Sequence, residues 1–266
     1  MSDRKPIPRD PANDYTPEMA ERRAAFLRER TGVELNHVRK ASFDPAVLPG
    51  NVENFIGVAQ VPIGLAGPLR INGEHARGDF YVPLATTEGT LVASYSRGMR
   101  VLTECGGVTA TVVKRSMQRA PVFMFRTARE ARDFGEWLVE NFAGAKAAAE
   151  STTRVGKLFE IEQYPVGNLL YLRFNYTTGD AAGQNMTGKA TFAACEWIRA
   201  THPLHPKYML SGGIDTDKKH SAINTLRTRG RRVVAEAVIK NEVLERIMRV
   251  DTKTLFRARQ VSNAGA

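Results

Sequence analysis

The period of the apolar positions changes several times along the chain, and each change marks an element. Met19, Phe26 and Leu27 form a helical stripe behind Thr16-Pro17-Glu18, where a capping hydroxyl and a first-turn proline open a helix that Gly32 closes. From Pro45 to Pro68 proline and glycine are frequent enough to predict loop and short strand. Leu69 to Ile71 and Gly78 to Val82, joined by an Asn72-Gly73 turn, predict a hairpin that leads into Pro83. Helical spacing runs from Glu88 to Leu102 and stops at Gly106-Gly107, which places the Glu88 carboxylate in a first turn.

A separate rhythm occupies Pro121 to Gly212. Val122 to Phe125 predicts a strand, and Thr127-Ala128-Arg129-Glu130 is a capping box that opens a helix to about Ala149. Alternating strands at Leu158 to Glu162 and Leu169 to Tyr176 flank a turn at Pro165 to Asn168. A helix from about Ala182 to Ala200 then leads to a strand at Tyr208 to Leu210. The order β-α-β-β-α-β is that of the ferredoxin-like split unit. After Asp217 the pattern gives a helix to about Thr228, a strand at Val233 to Ile239 and a helix from Asn241 onward.

Composition narrows the class. A chain of 266 residues with 42% hydrophobic and 25% charged residues can bury a sizeable core, and its apolar runs near Val61 to Leu69 are too short and too broken to span a bilayer. The start, Met1-Ser2-Asp3-Arg4-Lys5-Pro6, lacks a following apolar stretch, so the expectation is a soluble, cytoplasmic protein. Cys105 and Cys195 are far apart and show no metal-ligand spacing. His202 and His205 flank Pro203-Leu204 and are read as a solvated loop without further metal ligands. The net charge of +10 favours polyanionic partners, and residues 217–259 hold 12 basic against 5 acidic side chains. Nucleic acid, an anionic membrane or a phosphorylated cofactor each fit that charge. No recognition-helix motif or aromatic platform accompanies the arginines from Arg227 to Arg232, which ranks nucleic acid below the others.

Three stretches carry candidate chemistry. Leu84-Ala85-Thr86-Thr87-Glu88-Gly89 supplies an acid: a helix N-terminus would favour its anion and burial its protonated form, and met alone the stretch reads as a surface cap. Gly179-Asp180-Ala181-Ala182-Gly183-Gln184-Asn185-Met186 could set a helix start with bare backbone against phosphate or ribose, or could be a plain cap at Asp180; no G-x-G-x-x-G accompanies it. Asp215-Thr216-Asp217-Lys218-Lys219 sets two ammonium groups beside a carboxylate, a solvated turn when met alone.

These stretches, with Glu53-Asn54-Phe55-Ile56-Gly57, Val61 to Pro68 and Ala222-Ile223-Asn224, lie in the order in which the 3-hydroxy-3-methylglutaryl-coenzyme A reductase family carries similar elements. The chain resembles that family over nearly its whole length. The resemblance implies an α+β fold, a large mixed domain with an inserted ferredoxin-like small domain. The large domain's first part is residues 1–120, the NADP-binding small domain residues 121–210, and the large domain returns, incomplete, at 211–266. It implies an oxidoreductase that reduces hydroxymethylglutaryl-coenzyme A to mevalonate with NADPH in two hydride transfers. Lys218 and Glu88 are then the catalytic residues, as oxyanion cation and proton donor. Ser94, Arg100, Arg119, Ser211, Asp217 and Lys219 are then on the substrate side. Arg154, Asp180, Gly183, Gln184, Asn185 and Met186 are on the cofactor side. The family's site forms between protomers, so a homodimer or higher homo-oligomer is expected, with no nucleic acid and no membrane as partner. By the family pattern a catalytic aspartate and a late histidine fall beyond Ala266. That pattern leaves open a truncated or non-catalytic relative that keeps coenzyme A or nucleotide binding, or one part of a split enzyme completed by a C-terminal chain.

Overall fold

Helices and strands are interspersed along the chain in the computed structural model, which describes residues 4–265. The first residues of the predicted start, Met1 to Asp3, and the last residue of the final predicted domain, Ala266, lie outside the described residues. In chain order the elements are α1 (Pro17–Thr31), β1 (Ile63–Gly73), β2 (Arg77–Ala85), α2 (Leu91–Glu104), β3 (Val108–Arg119), β4 (Val122–Met124), α3 (Ala128–Glu140) and α4 (Phe142–Glu150). They continue with β5 (Lys157–Val166), β6 (Leu169–Thr177), α5 (Gln184–Thr201), β7 (Lys207–Met209), α6 (Ala222–Arg227), β8 (Gly230–Glu236), α7 (Asn241–Met248) and α8 (Thr252–Gly265). The strands form one mixed sheet in the order β2-β1-β3-β6-β4-β7, with β5 added against β6 and β8 against β3. No described helix is long and apolar enough to cross a membrane.

The chain divides into two compact units. One gathers the described residues of Met1–Leu69, Phe80–Val101 and Leu244–Ala266; the other comprises Arg70–Asp79 and Leu102–Val243.

In the first unit α1 is closed at both ends as its sequence predicts. The Thr16 hydroxyl accepts from the Met19 amide at 3.2 Å, and Gly32 turns left-handed at φ 70° with its amide on the Arg28 carbonyl. Arg23 is 1% exposed and donates to the carbonyls of Pro8, Asp14 and Phe55 while pairing with the Asp14 carboxylate, so a buried charge ties α1 to the segments before and after it. The strand β1 starts at Ile63, inside the stretch predicted as loop and short strand, and runs on as one long element to Gly73. The glycines there serve close approach instead: a Cβ on Gly64 would lie 2.7 Å from Val92 Cγ2, and one on Gly67 2.9 Å from the Phe80 carbonyl oxygen.

In the second unit the strand order from one edge is β5-β6-β4-β7, all pairs antiparallel. The far end of β3 runs beside β6 as well, pairing Met117 with Tyr176 and Arg119 with Phe174. The first part of β3 pairs in parallel with β1, through Ile71 and Val108, and antiparallel with β8. Phe123, Phe134, Leu138, Leu158, Leu170, Leu172, Phe174 and Ile198 are at most 2% exposed and form the core under α3, α4 and α5. Each such side chain contributes about 1.5–3 kcal/mol by leaving water. Cys195 lies in the same core, where burial pushes its thiol well above the ordinary range.

The single helix predicted from Thr127 to about Ala149 is two. Asn141 ends α3 by donating both its amide and its side-chain Nδ2 to the Trp137 carbonyl, at 3.0 and 2.8 Å, and α4 begins one residue later. Similarly the helix predicted from Asp217 shrinks to Ala222–Arg227, because the Ser221 hydroxyl caps it by accepting from the Asn224 amide. His202, read as solvated, is buried: its ring meets Phe134 and Trp137 edge-on and its Nδ1 accepts from the Leu204 amide at 3.2 Å. His205 is exposed, as expected.

Two tests follow from this packing. A methyl group on Gly144 would lie 2.2 Å from Trp197 Cζ2, whereas Gly188, also helical, has open space there. Gly144→Ala is expected to lose about 1–3 kcal/mol and Gly188→Ala to gain up to about 1 kcal/mol, read by urea unfolding; equal effects would contradict the packing of α4 on α5. Burial, with the charge of nearby His205 adding to it, holds the His202 imidazole below its ordinary value. The unfolded chain therefore binds the proton more readily, and stability present above pH of about 6.5 is lost as pH falls through the folded value. The melting temperature should drop more between pH of about 7.5 and 5 in the parent chain than in His202→Asn.

Candidate active site

The site in the second unit is built on a loop whose backbone is forced. Thr216 and Lys218 both take positive φ, 47° and 57°, in the left-handed region that side chains disfavour. Such conformations cost about 1–3 kcal/mol each and persist where surrounding contacts over-determine them. Here Asn224, held in α6, donates its Nδ2 to the carbonyls of Thr216 and Lys219 at 3.1 and 3.2 Å. Arg229 donates to the Asp215 and Gln118 carbonyls and pairs with the Asp217 carboxylate at 3.0 Å. The other face of Asn224 accepts from Arg173, a fully buried guanidinium that also reaches the Thr228 carbonyl and lies 3.8 Å from Glu162. Burial lowers the Arg173 pKa, and the nearby Glu162 charge opposes that shift. Gln118 completes the anchor by donating to Asn175, Ser116 and the Thr228 carbonyl.

The same loop joins two of the candidate stretches. Gln184, the first residue of α5, donates its side-chain amide to Asp217 Oδ2. Burial raises the Asp217 pKa, but the Gln184 hydrogen bond and the Arg229 charge outweigh it and hold the carboxyl below the usual range. Lys218 and Lys219 are exposed and line an open cleft of about 560 Å³ with Asp217, Asn224, Arg229, Arg231 and Arg232. Arg119 and Ser211 converge on Asp215, at 3.3 and 3.0 Å, and the Arg119 Nε is buried without a partner.

The cofactor-side residues gather as well. Gly183 precedes α5 with φ 85° and no capping side chain, so that helix opens at Gln184 rather than at Ala182. A Cβ on Gly183 would strike Thr178 Cγ2 at 2.4 Å, and one on Gly156 would strike Met186 Sδ at 2.5 Å. The latter approach brings the loop of Arg154 against Met186, and Val155 lies beside Gly179 in the same way. Arg154, Asp180 and Asn185 are exposed at the surface of this cluster.

In the first unit the predicted acid is not in a helix. Glu88 lies in a turn: its amide donates to the Thr86 hydroxyl at 2.9 Å, Thr90 takes φ 64°, and α2 begins only at Leu91. The Thr86 hydroxyl closes this local turn, and Glu88 lies three residues ahead of α2 instead of in its first turn. Ser94 and Arg100 are exposed on α2, with the Ser94 amide on the Thr90 carbonyl.

The family model described as hydroxymethylglutaryl-coenzyme A reductase matches residues 19–266. The chain belongs to that family. The 3-hydroxy-3-methylglutaryl-coenzyme A reductase of Pyrococcus abyssi is 44% identical over 244 residues, 91% of this chain and 60% of the relative. That of Methanothermobacter thermautotrophicus is 43% identical, covering 91% and 61%. The chain thus spans about 60% of the length of the curated relatives it matches. A solved class II reductase from Streptococcus pneumoniae, bound to NADPH in open conformations, superposes with a TM-score of 0.58 at 18% identity, over 85% of this chain and 59% of that one. At that identity the likeness establishes the fold.

Within this family member, several side chains that build the site were not singled out from sequence: Arg229, Asp215, Arg173 and, as a clamp, Asn224. Asn224 was visible as part of a family element, and Arg229 as one of a basic run, but neither pattern shows which carbonyls a side chain will reach. Asn224→Ala removes two hydrogen bonds to the loop carbonyls and leaves the buried Arg173 Nη2 with only its 3.4 Å bond to the Thr228 carbonyl, with an expected loss of about 2–4 kcal/mol. Thr225→Ala, one residue on and exposed, should cost much less; urea unfolding of both variants separates the clamp from a general effect on α6.

Proposed function

We propose that this chain carries the reductive chemistry of its family: reduction of the hydroxymethylglutaryl-coenzyme A thioester to mevalonate and free coenzyme A with two hydride equivalents from NADPH. The observation that carries the reading is the Gln184–Asp217 hydrogen bond, which fixes the start of the cofactor-side helix against the carboxylate next to Lys218. In this reading the β-α-β-β-α-β segment, about residues 121–210, is an inserted ferredoxin-like small domain between large-domain parts at 1–120 and 211–266; the strand order β5-β6-β4-β7 supports it.

The residues present suit a nicotinamide dinucleotide phosphate. The backbone at Gly183 is bare, the α5 amides at Gln184 and Asn185 are uncapped, and cations stand on the neighbouring strand. Arg154, Asp180, Gly183, Gln184, Asn185 and Met186 would hold it, and when bound it supplies hydride to the carbonyl carbon. The chain's own part is electrostatic. Reduction of a thioester carbonyl places negative charge on its oxygen, and the Lys218 ammonium, its backbone fixed by the strained loop, would stabilise that charge more than the neutral ground state. Asp217, held ionised by Gln184 and Arg229, orders the ammonium. Lys219, Arg119 and Ser211 would hold the terminal carboxylate of the acyl group, with Ser94 and Arg100 on the coenzyme A side. Glu88 would deliver a proton to the aldehyde-level oxygen. We further infer a cytoplasmic homo-oligomer, with a site completed by a second protomer or a complementing C-terminal chain.

The test follows NADPH consumption with hydroxymethylglutaryl-coenzyme A. Lys218→Ala is expected to lower the turnover rate by about 10²–10³ and Glu88→Gln by about 10²–10⁴, with NADPH affinity unchanged in both. Nucleotide binding without turnover by the parent chain would favour a relative that retains binding alone.

A further inference from the structure

The ladder between β3 and β8 opposes cations on two consecutive rungs: Lys114 faces Arg232, and Arg115 faces Arg231. Like charges directly opposite one another in a ladder are destabilising. Among the described residues none of the four has a carboxylate partner; Arg231 donates to the Gly179 carbonyl at 3.0 Å and Arg232 to the Thr225 carbonyl at 2.9 Å. Alternation along a strand sends successive rungs to opposite faces. Arg115 and Arg231 thereby line a cleft of about 250 Å³ with Ser116, Thr178 and Asp180.

We propose that the Arg115–Arg231 rung is a phosphate-binding site for a phosphorylated ribonucleotide. Two guanidinium groups, each able to fork onto an oxyanion, converge on a cleft sized for a phosphate group and its sugar rather than a whole dinucleotide. Asp180 on the same cleft repels a bare anion and accepts from a hydroxyl, which selects a phosphate carried on ribose over free phosphate. Arg231 also borders the larger cleft of Lys218, so a nucleotide held on the rung has its remainder directed along β8 toward that ammonium. The bound anion offsets the repulsion across the rung. The inference rests on the nucleotide-dependent reading above and deepens it by naming residues for the phosphate.

Titration of the full chain with NADPH, NADH, coenzyme A and dephospho-coenzyme A tests it. Arg115→Gln and Arg231→Gln should each weaken binding roughly tenfold to hundredfold and flatten its salt dependence, while Lys114→Gln, on the opposite face, should not. Weakening confined to NADPH places the 2′-phosphate on the rung, equal weakening of NADPH and NADH the diphosphate, and weakening of coenzyme A alone its own phosphates; each supports the site. The unliganded double variant should melt at or above the temperature of the parent at low salt, because removing the opposed charges relieves repulsion, and a merely structural role predicts the reverse. Unchanged affinity of the double variant for all four compounds overturns the site and leaves the cofactor reading intact. Failure of the parent to bind any of them overturns both. Binding of duplex DNA in preference to every nucleotide, abolished in the double variant, would replace the site with a nucleic-acid surface.

Discussion

The second unit's site depends on keeping one loop in a conformation its own residues disfavour. Thr216 is β-branched and Lys218 carries a long side chain, yet both are left-handed. The compensation is carbonyl capture: Asn224 and Arg229 take the carbonyls of Asp215, Thr216 and Lys219, oxygens that a relaxed turn would leave to water. Because Asn224 leans on the buried Arg173, the clamp reaches into the strand β6 and ties the loop to the sheet behind it. In the proposed reading, a backbone held in this way limits where the exposed Lys218 ammonium can reach, which is what a charge acting on a carbonyl oxygen requires.

The strand β3 explains how one chain supports two kinds of surface. Its first part pairs with β1 and β8 and carries the adjacent cations Lys114 and Arg115, whereas Met117 and Gln118 near its end pair with β6 and are buried. The ladder register shifts between Val112 and Lys114, so the alternation is reset just before the charged rungs. Without that irregularity Lys114, not Arg115, would stand opposite Arg231. Stability is thus set against function at the rungs themselves: a sequence chosen for the ladder alone would put a carboxylate opposite each arginine.

Much of the fold was legible where local chemistry and tertiary packing agree. Thr16, Pro17 and Gly32 bound α1 as written, and the alternating segments around Pro165 to Asn168 became β5 and β6. The misses share a feature, a polar side chain that hydrogen-bonds the nearby backbone where the sequence pattern continues. Asn141 bonds the Trp137 carbonyl where α3 ends, Thr86 closes a turn at Glu88, and Ser221 caps the late start of α6. Gly64 and Gly67 misled in a different way, since glycine that permits close approach inside a strand has the same composition as glycine in a loop. For the site, motifs gave the reacting types but not their supports. Lys218 and Gln184 were marked in separate stretches, and only the folded chain brings Gln184 onto the carboxylate beside Lys218.

That contact also couples the start of α5 to the loop of Lys218. Asp217 has two oxygens with different attachments: Oδ2 on Gln184 at the start of α5, and Oδ1 on Arg229, which leads directly into the charged strand β8. A displacement of the α5 terminus therefore alters the charge balance next to Lys218 without any contact to Lys218 itself. Both attachments favour the Asp217 carboxylate over its acid form, so loss of either one leaves the other bearing a partly buried anion. The two attachments act as a unit, and the effects of removing each are expected to be non-additive.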